Sequence, residues 1–124
     1  MQKREILLIE DEAVIREIMQ TNICWEQFGF HLTTADSYLP AIDSILDTLK
    51  PDVILLDIGE PEDAVLPPYL AVRSPESILA VACYEDSVPG DTAGFGWRIS
   101  KPLTPQVIYN FLGQLADYFN HKRI

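Results

Sequence analysis

The sequence predicts an α/β domain, a doubly wound parallel sheet of five strands. Three observations predict it. Short apolar segments alternate along the chain with segments of helical periodicity. The apolar segments are continuous runs rather than alternating ones, the pattern of strands buried on both faces. Charged residues sit at the ends of three of these runs, where open α/β sheets keep their sites.

The elements follow in order. Residues 5–10 (EILLIE) form an apolar run bounded by charge, a buried-strand pattern. Residues 12–24 carry Val14, Ile15, Ile18 and Met19 at helical spacing. A turn at Phe28-Gly29-Phe30 leads into a second strand over 30–34. Asp36 or Ser37 can cap a second helix bearing Leu39, Ile42, Ile45, Leu46 and Leu49, with Pro40 tolerated in its first turn. Pro51 ends that helix, and a third strand spans 52–57. Apolar residues recur over 62–74, but Pro67-Pro68 rules out one regular helix there. Strands are expected over 78–83 and 97–100. The span 84–96, with Pro89, Gly90, Gly94 and Gly96, reads mainly as loop, so the fourth crossover helix is expected to be truncated or missing. Residues 103–120 are the clearest helix, with Val107, Ile108, Phe111, Leu112, Leu115 and Phe119 on one face.

The 124 residues suit a single domain spanning 1–124, and 48% hydrophobic residues are enough for a core. A net charge of −10, from nineteen acids and nine bases, argues against nucleic-acid binding by this domain. No apolar run reaches the roughly 20 residues of a membrane helix. The N-terminus turns acidic straight after its apolar run, unlike a signal peptide, so a cytoplasmic location is expected. The two cysteines, Cys24 and Cys83, make no disulfide framework and read as buried small apolar groups. His31 and His121 have no partners at metal-ligand spacing. Trp25 and Phe28 read as core or as packing at the end of the first helix, whereas Trp97 fits either the core or an exposed patch with Arg98.

The chemistry lies at the strand ends. The first strand ends in Glu10-Asp11-Glu12, the third in Asp57, and the fifth runs into Lys101-Pro102. If the first and third strands are neighbours, Glu10, Asp11 and Asp57 converge. Such carboxylates repel one another unless a cation joins them, and a hard ion such as Mg²⁺ suits oxygen ligands. Lys101 can pair with a carboxylate or with an added phosphoryl group. A carboxylate nucleophile, Mg²⁺ and a lysine together make a site for phosphoryl transfer onto Asp57. Glu12 is a first-turn acid favoured by the helix dipole.

The segments ILLIEDE (6–12), PDVILLDIGEP (51–61) and SKPLTP (100–105), in this order, resemble the receiver domain of two-component response regulators. The resemblance covers nearly the whole chain. It implies a flavodoxin-like (receiver) fold with strand order 2-1-3-4-5. It implies Asp57 as phosphoacceptor, Asp11 as direct Mg²⁺ ligand and Glu10 acting through metal-bound water. Gly59 would offer its backbone carbonyl to the metal, Lys101 would contact the phosphoryl oxygens, and the Lys101-Pro102 bond would be cis. The implied partners are a sensor histidine kinase or phosphotransfer protein, and an effector domain or downstream protein. The stretch CWEQFGF (24–30) also looks like receivers that precede AraC-type DNA-binding domains.

The sequence departs from the family at three positions. Cys83 stands where the family has a Thr or Ser, and a thiol is the weaker hydrogen-bond donor. Arg98 stands where the fifth strand has an aromatic, and Val65 where the family usually has glycine. Two other readings follow. In a pseudo-receiver the fold survives as a protein-interaction module without phosphorylation-driven switching. A phosphatase acting through an aspartyl intermediate would commonly place a second acid two residues after the nucleophile, where this chain has Gly59.

Overall fold

A computed structural model describes residues 3–57, 65–83 and 97–121. Five parallel strands form one sheet: β1 (Arg4–Ile9), β2 (Phe30–Ala35), β3 (Val53–Asp57), β4 (Ile78–Cys83) and β5 (Trp97–Ser100). Their spatial order is β2-β1-β3-β4-β5, so β1 and β3 are neighbours and the order in which strands are added to the sheet reverses between them. The helices are α1 (Ala13–Asn22), α2 (Leu39–Thr48), α3 (Leu66–Arg73) and α4 (Pro105–His121). A short 3₁₀ turn, Trp25–Phe28, follows α1. Among the described residues no helix is long and apolar enough to cross a membrane.

The continuous apolar runs have a simple cause. Successive side chains of a strand point to opposite faces, and here both faces are covered. Ile6 and Leu8 of β1, with Val53 and Leu55 of β3, pack with Met19 of α1 and Ile108 and Leu112 of α4. Leu7, Ile9, Ile54 and Leu56 pack on the other side with Ile42 of α2 and Leu70 of α3. In β1, β3 and β4 no polar face is needed, so no alternation remains in those runs.

Several expectations need correction. Val14 and Ile18 of α1 are exposed, at 66% and 41%, and only Met19 of the four apolar positions is buried. Residues 66–73 form a regular helix despite Pro67 and Pro68, because both prolines lie in its first turn, where backbone N–H groups lack intrahelical acceptors anyway. Asp36 and Ser37 both precede α2: Tyr38 is the N-cap residue, and Asp36 Oδ1 accepts a hydrogen bond from the Tyr38 N–H at 2.9 Å. Cys24 is exposed; only Cys83 is buried. The span 84–96, where a truncated crossover helix is expected, lies outside the described residues, as does Gly59.

Other expectations hold. Gly29 adopts φ 85°, a left-handed conformation that favours glycine, and its carbonyl accepts from the Arg4 N–H at 3.0 Å, aligning β2 with β1. Trp25 is buried and its indole donates to the Met19 carbonyl at 2.7 Å. Trp97 is half-buried and meets Phe111 and Tyr118 of α4 edge-on, while Arg98 is exposed.

Candidate functional site

The sheet order brings the ends of β1 and β3 together. Ile9 pairs with Leu56, so Glu10 follows β1 beside Asp57, the last residue of β3. Asp57 pairs with Ala82 of β4, and Cys83 is one residue further along. Ser100 of β5 pairs with Cys83, and the Lys101 N–H donates to the Cys83 carbonyl at 3.1 Å. These registers place Lys101 at the same sheet edge as the acids. The Lys101-Pro102 bond is cis, as the resemblance implies.

Glu10 and Asp57 are the buried charged residues of the described chain, at 8% and 7% exposure. Lys101 Nζ lies 2.6 Å from Asp57 Oδ1 in an ion pair. That approach is not a well-directed hydrogen bond, and Oδ1 is otherwise buried without a partner among the described residues. The carboxyl of Glu10 is pushed up to about 8. Burial is the largest cause, followed by a hydrogen bond with Asp57 and by its negative charge; Lys101 acts in the opposite direction. Two buried carboxylates served by one ammonium group are short of positive charge, and a proton on Glu10 supplies it.

Asp11 is held differently. Its Oδ1 accepts from the backbone N–H of Ser37, at 2.9 Å, in the loop between β2 and α2. Its side chain is exposed. Among the described residues no three acidic, histidine or cysteine side chains are gathered closely enough to hold a metal. The structure therefore brings together Glu10, Asp57 and Lys101, with Asp11 beside them but turned to Ser37. Cys83 is buried at the adjoining strand end.

A divalent cation fits the donor chemistry. The buried Oδ1 of Asp57 lacks a directed donor, and the buried Glu10 carboxyl adds further oxygen donors at the same edge. Asp11 Oδ2 is not used in the bond to Ser37. Hard oxygen donors of this kind suit Mg²⁺, which keeps several of its waters.

Sequence reasoning missed two participants, Arg16 and the Ser37 backbone. Arg16 Nη1 donates to the carbonyls of Glu10, at 2.5 Å, and Asp11, at 3.0 Å. A basic residue one to two turns after an acidic run was the available signal for Arg16. A backbone N–H leaves no signal.

The raised Glu10 value sets a pH dependence. In the absence of metal the folded state keeps a proton that the unfolded chain releases near 4.5. The folded-state value is raised, so this contribution is complete below 4.5 and is lost as pH rises through about 8. Urea unfolding in EDTA at pH 5, 7 and 9 is expected to show stability falling across that window. Glu10→Gln is expected to flatten the fall, and an unchanged slope in this variant would remove Glu10 as its source.

No protein-family model matches the sequence, and no curated protein is similar to it. Solved structures do match. One is the REC domain of AraT, a response regulator from Geobacillus stearothermophilus, 19% identical, covering 98% of both chains at a TM-score of 0.77. A two-component transcriptional regulator AraC from Clostridium phytofermentans is 22% identical, covering 98% of this chain and 100% of that one at 0.72. The signal receiver domain of a histidine kinase from Syntrophus aciditrophicus is 21% identical, covering 92% and 90% at 0.70.

This chain has the receiver fold. Asp57, Glu10 and Lys101 all lie at the carboxyl edge of the receiver sheet, beside the point where strand order reverses between β1 and β3. In open α/β sheets this is where ligands bind.

Proposed function

We propose that the chain is a two-component signalling module that accepts a phosphoryl group on Asp57. The donor would be a phosphohistidine of a sensor histidine kinase or of a phosphotransfer protein. The observation that carries this reading is the buried Asp57–Lys101 ion pair, with Glu10 alongside, at the carboxyl edge of a receiver sheet. The module is a phosphoacceptor rather than an enzyme that turns over a separate substrate.

In the transfer, a carboxylate oxygen of Asp57 attacks phosphorus. The new O–P bond forms as the P–N bond to the donor imidazole breaks, and the imidazole leaves with the electron pair of that bond. The ammonium of Lys101, now paired with Asp57, moves its charge onto the phosphoryl oxygens. Burial keeps water from these groups and strengthens their electrostatic interactions. Asp11, Glu10, Asp57 and the backbone carbonyl of Gly59 would hold Mg²⁺; Gly59 lies outside the described residues. Bound there, Mg²⁺ neutralises charge that builds on the phosphoryl oxygens.

A cytoplasmic location and an effector domain or downstream protein as recipient of the signal belong to the same reading. Solved structures of the same fold include one from a transcriptional regulator and one from a histidine kinase. A second reading, a pseudo-receiver acting as an interaction module, is favoured by Cys83 and Arg98. Cys83 offers only a weak S–H donor where the family has a hydroxyl, and exposed Arg98 replaces an aromatic.

Incubation with acetyl phosphate and Mg²⁺ is expected to add the mass of one phosphoryl group to the wild type and none to Asp57→Ala. Peptide mapping should place the group on Asp57. No adduct on folded, Mg²⁺-treated protein would favour the pseudo-receiver, and an adduct on another carboxylate would overturn the assignment.

A further inference from the structure

Arg16 belongs to neither the sheet edge nor the proposed phosphoryl contacts, yet it grips the chain that carries two of the acids. In an extended strand successive carbonyls point to opposite sides. Here the carbonyls of Glu10 and Asp11 converge on one nitrogen, Nη1 of Arg16. The backbone must therefore bend where β1 ends. The Glu10 N–H still continues the ladder, donating to the Ala35 carbonyl at 2.9 Å. Past that bond the chain turns, and the Glu12 carbonyl accepts the first bond of α1 from the Arg16 N–H at 3.0 Å. The residue that starts the helix hydrogen bonds thus also closes the loop before it.

We infer that Arg16 is a positioning residue: its guanidinium sets the bend at Glu10-Asp11 and so aims both carboxylates. Charge-assisted bonds to carbonyls are stronger than neutral ones. The rigid guanidinium plane fixes the directions of its N–H groups, which a lysine ammonium on a stem one atom shorter does not. The bend sends Glu10 inward to Asp57 and leaves Asp11 against the Ser37 N–H. Arg16 makes no contact with Ser37 among its described hydrogen bonds, so that amide reports the aim of Asp11 from a distance. The inference rests on the proposed Mg²⁺ site for its functional meaning.

The test uses Arg16→Met, which keeps the apolar stem and helix propensity while removing the donors, and Arg16→Lys, which keeps the charge. In EDTA, the Ser37 amide of Arg16→Met is expected to exchange with deuterium about tenfold faster than in the wild type, with α4 amides unchanged. Calorimetry is expected to show Mg²⁺ binding weakened about tenfold in Arg16→Met, as for lost outer-sphere partners of other metal ligands, and only partly restored in Arg16→Lys. Should Arg16→Met not fold, Arg16→Lys carries both readouts. Ser37 exchange and Mg²⁺ affinity within about twofold of wild type would overturn the inference. Full rescue by Lys would overturn the role of guanidinium geometry. Wild type that fails to bind Mg²⁺, while Ser37 exchange still accelerates in Arg16→Met, would remove the metal site and leave the positioning role standing.

Discussion

Lys101→Met is expected to cost about 3 kcal/mol of folding stability in EDTA at pH 9, because breaking a buried ion pair leaves charge without compensation. The side chains involved are well enclosed, Lys101 at 14% and Asp57 at 5% exposure, so solvent screens the pair little. The loss is expected to depend on pH. Below about 8 Glu10 is protonated, and only Asp57 of the pair carries a charge. Above that value the wild type holds two carboxylates with Lys101 between them, whereas the variant must either leave both without that ammonium group or take up a proton. Lys101 also lowers the Glu10 value by its charge, so the substitution raises it further and extends the protonated range upward. Urea titrations of wild type and variant at pH 6 and 9 measure this. The gap between the two proteins should be larger at pH 9. A gap that is equal at both values would mean that lost packing of the lysine stem, and not charge, is responsible. Mg²⁺ at saturating concentration is expected to narrow the gap at pH 9.

Leu55→Ala is expected to cost about 4 kcal/mol, which is a large share of the stability of an ordinary domain. Leu55 is fully buried in the central strand, paired with Leu8 on one side and Ala80 on the other. It packs in the cluster that α1 and α4 cover. A methyl group in its place leaves a cavity that two strand neighbours cannot collapse into. Ile18→Ala is the matched control: Ile18 is 41% exposed, and a change of about 0.5 kcal/mol or less is expected at such a surface position. Thermal or urea unfolding of both variants checks the pair. If Ile18→Ala cost as much as Leu55→Ala, the assignment of faces on α1 would be wrong.

That pair of residues shows how far the sequence reaches. Strand runs bounded by charge marked β1, β3 and β4 almost to the residue, because a strand covered on both faces can carry only apolar side chains. The last helix was equally legible, since seventeen residues give the 3.6-residue period time to establish itself. In α1 the helical spacing of Val14, Ile15, Ile18 and Met19 was legible but not which of them faces the sheet, and Val14 and Ile18 are exposed. The short α3 was hidden by Pro67-Pro68, whose effect depends on whether they fall in the first turn or the middle of a helix. That position is set by where Leu66 and Leu70 meet the sheet.

The same division runs through the site. The acids, the lysine and their order at strand ends are readable from the residues alone, because those ends are punctuated by a change from apolar to charged residues. Tertiary structure decided which of them meet. Only the order β2-β1-β3-β4-β5 puts Glu10 beside Asp57, and only the pairing of β4 with β5 brings Lys101 to the same edge. The separate fate of Asp11, turned toward the Ser37 amide, depends on a backbone donor from another loop. Backbone groups are the same at every residue, so the contacts they make are written in the path of the chain and not in its letters.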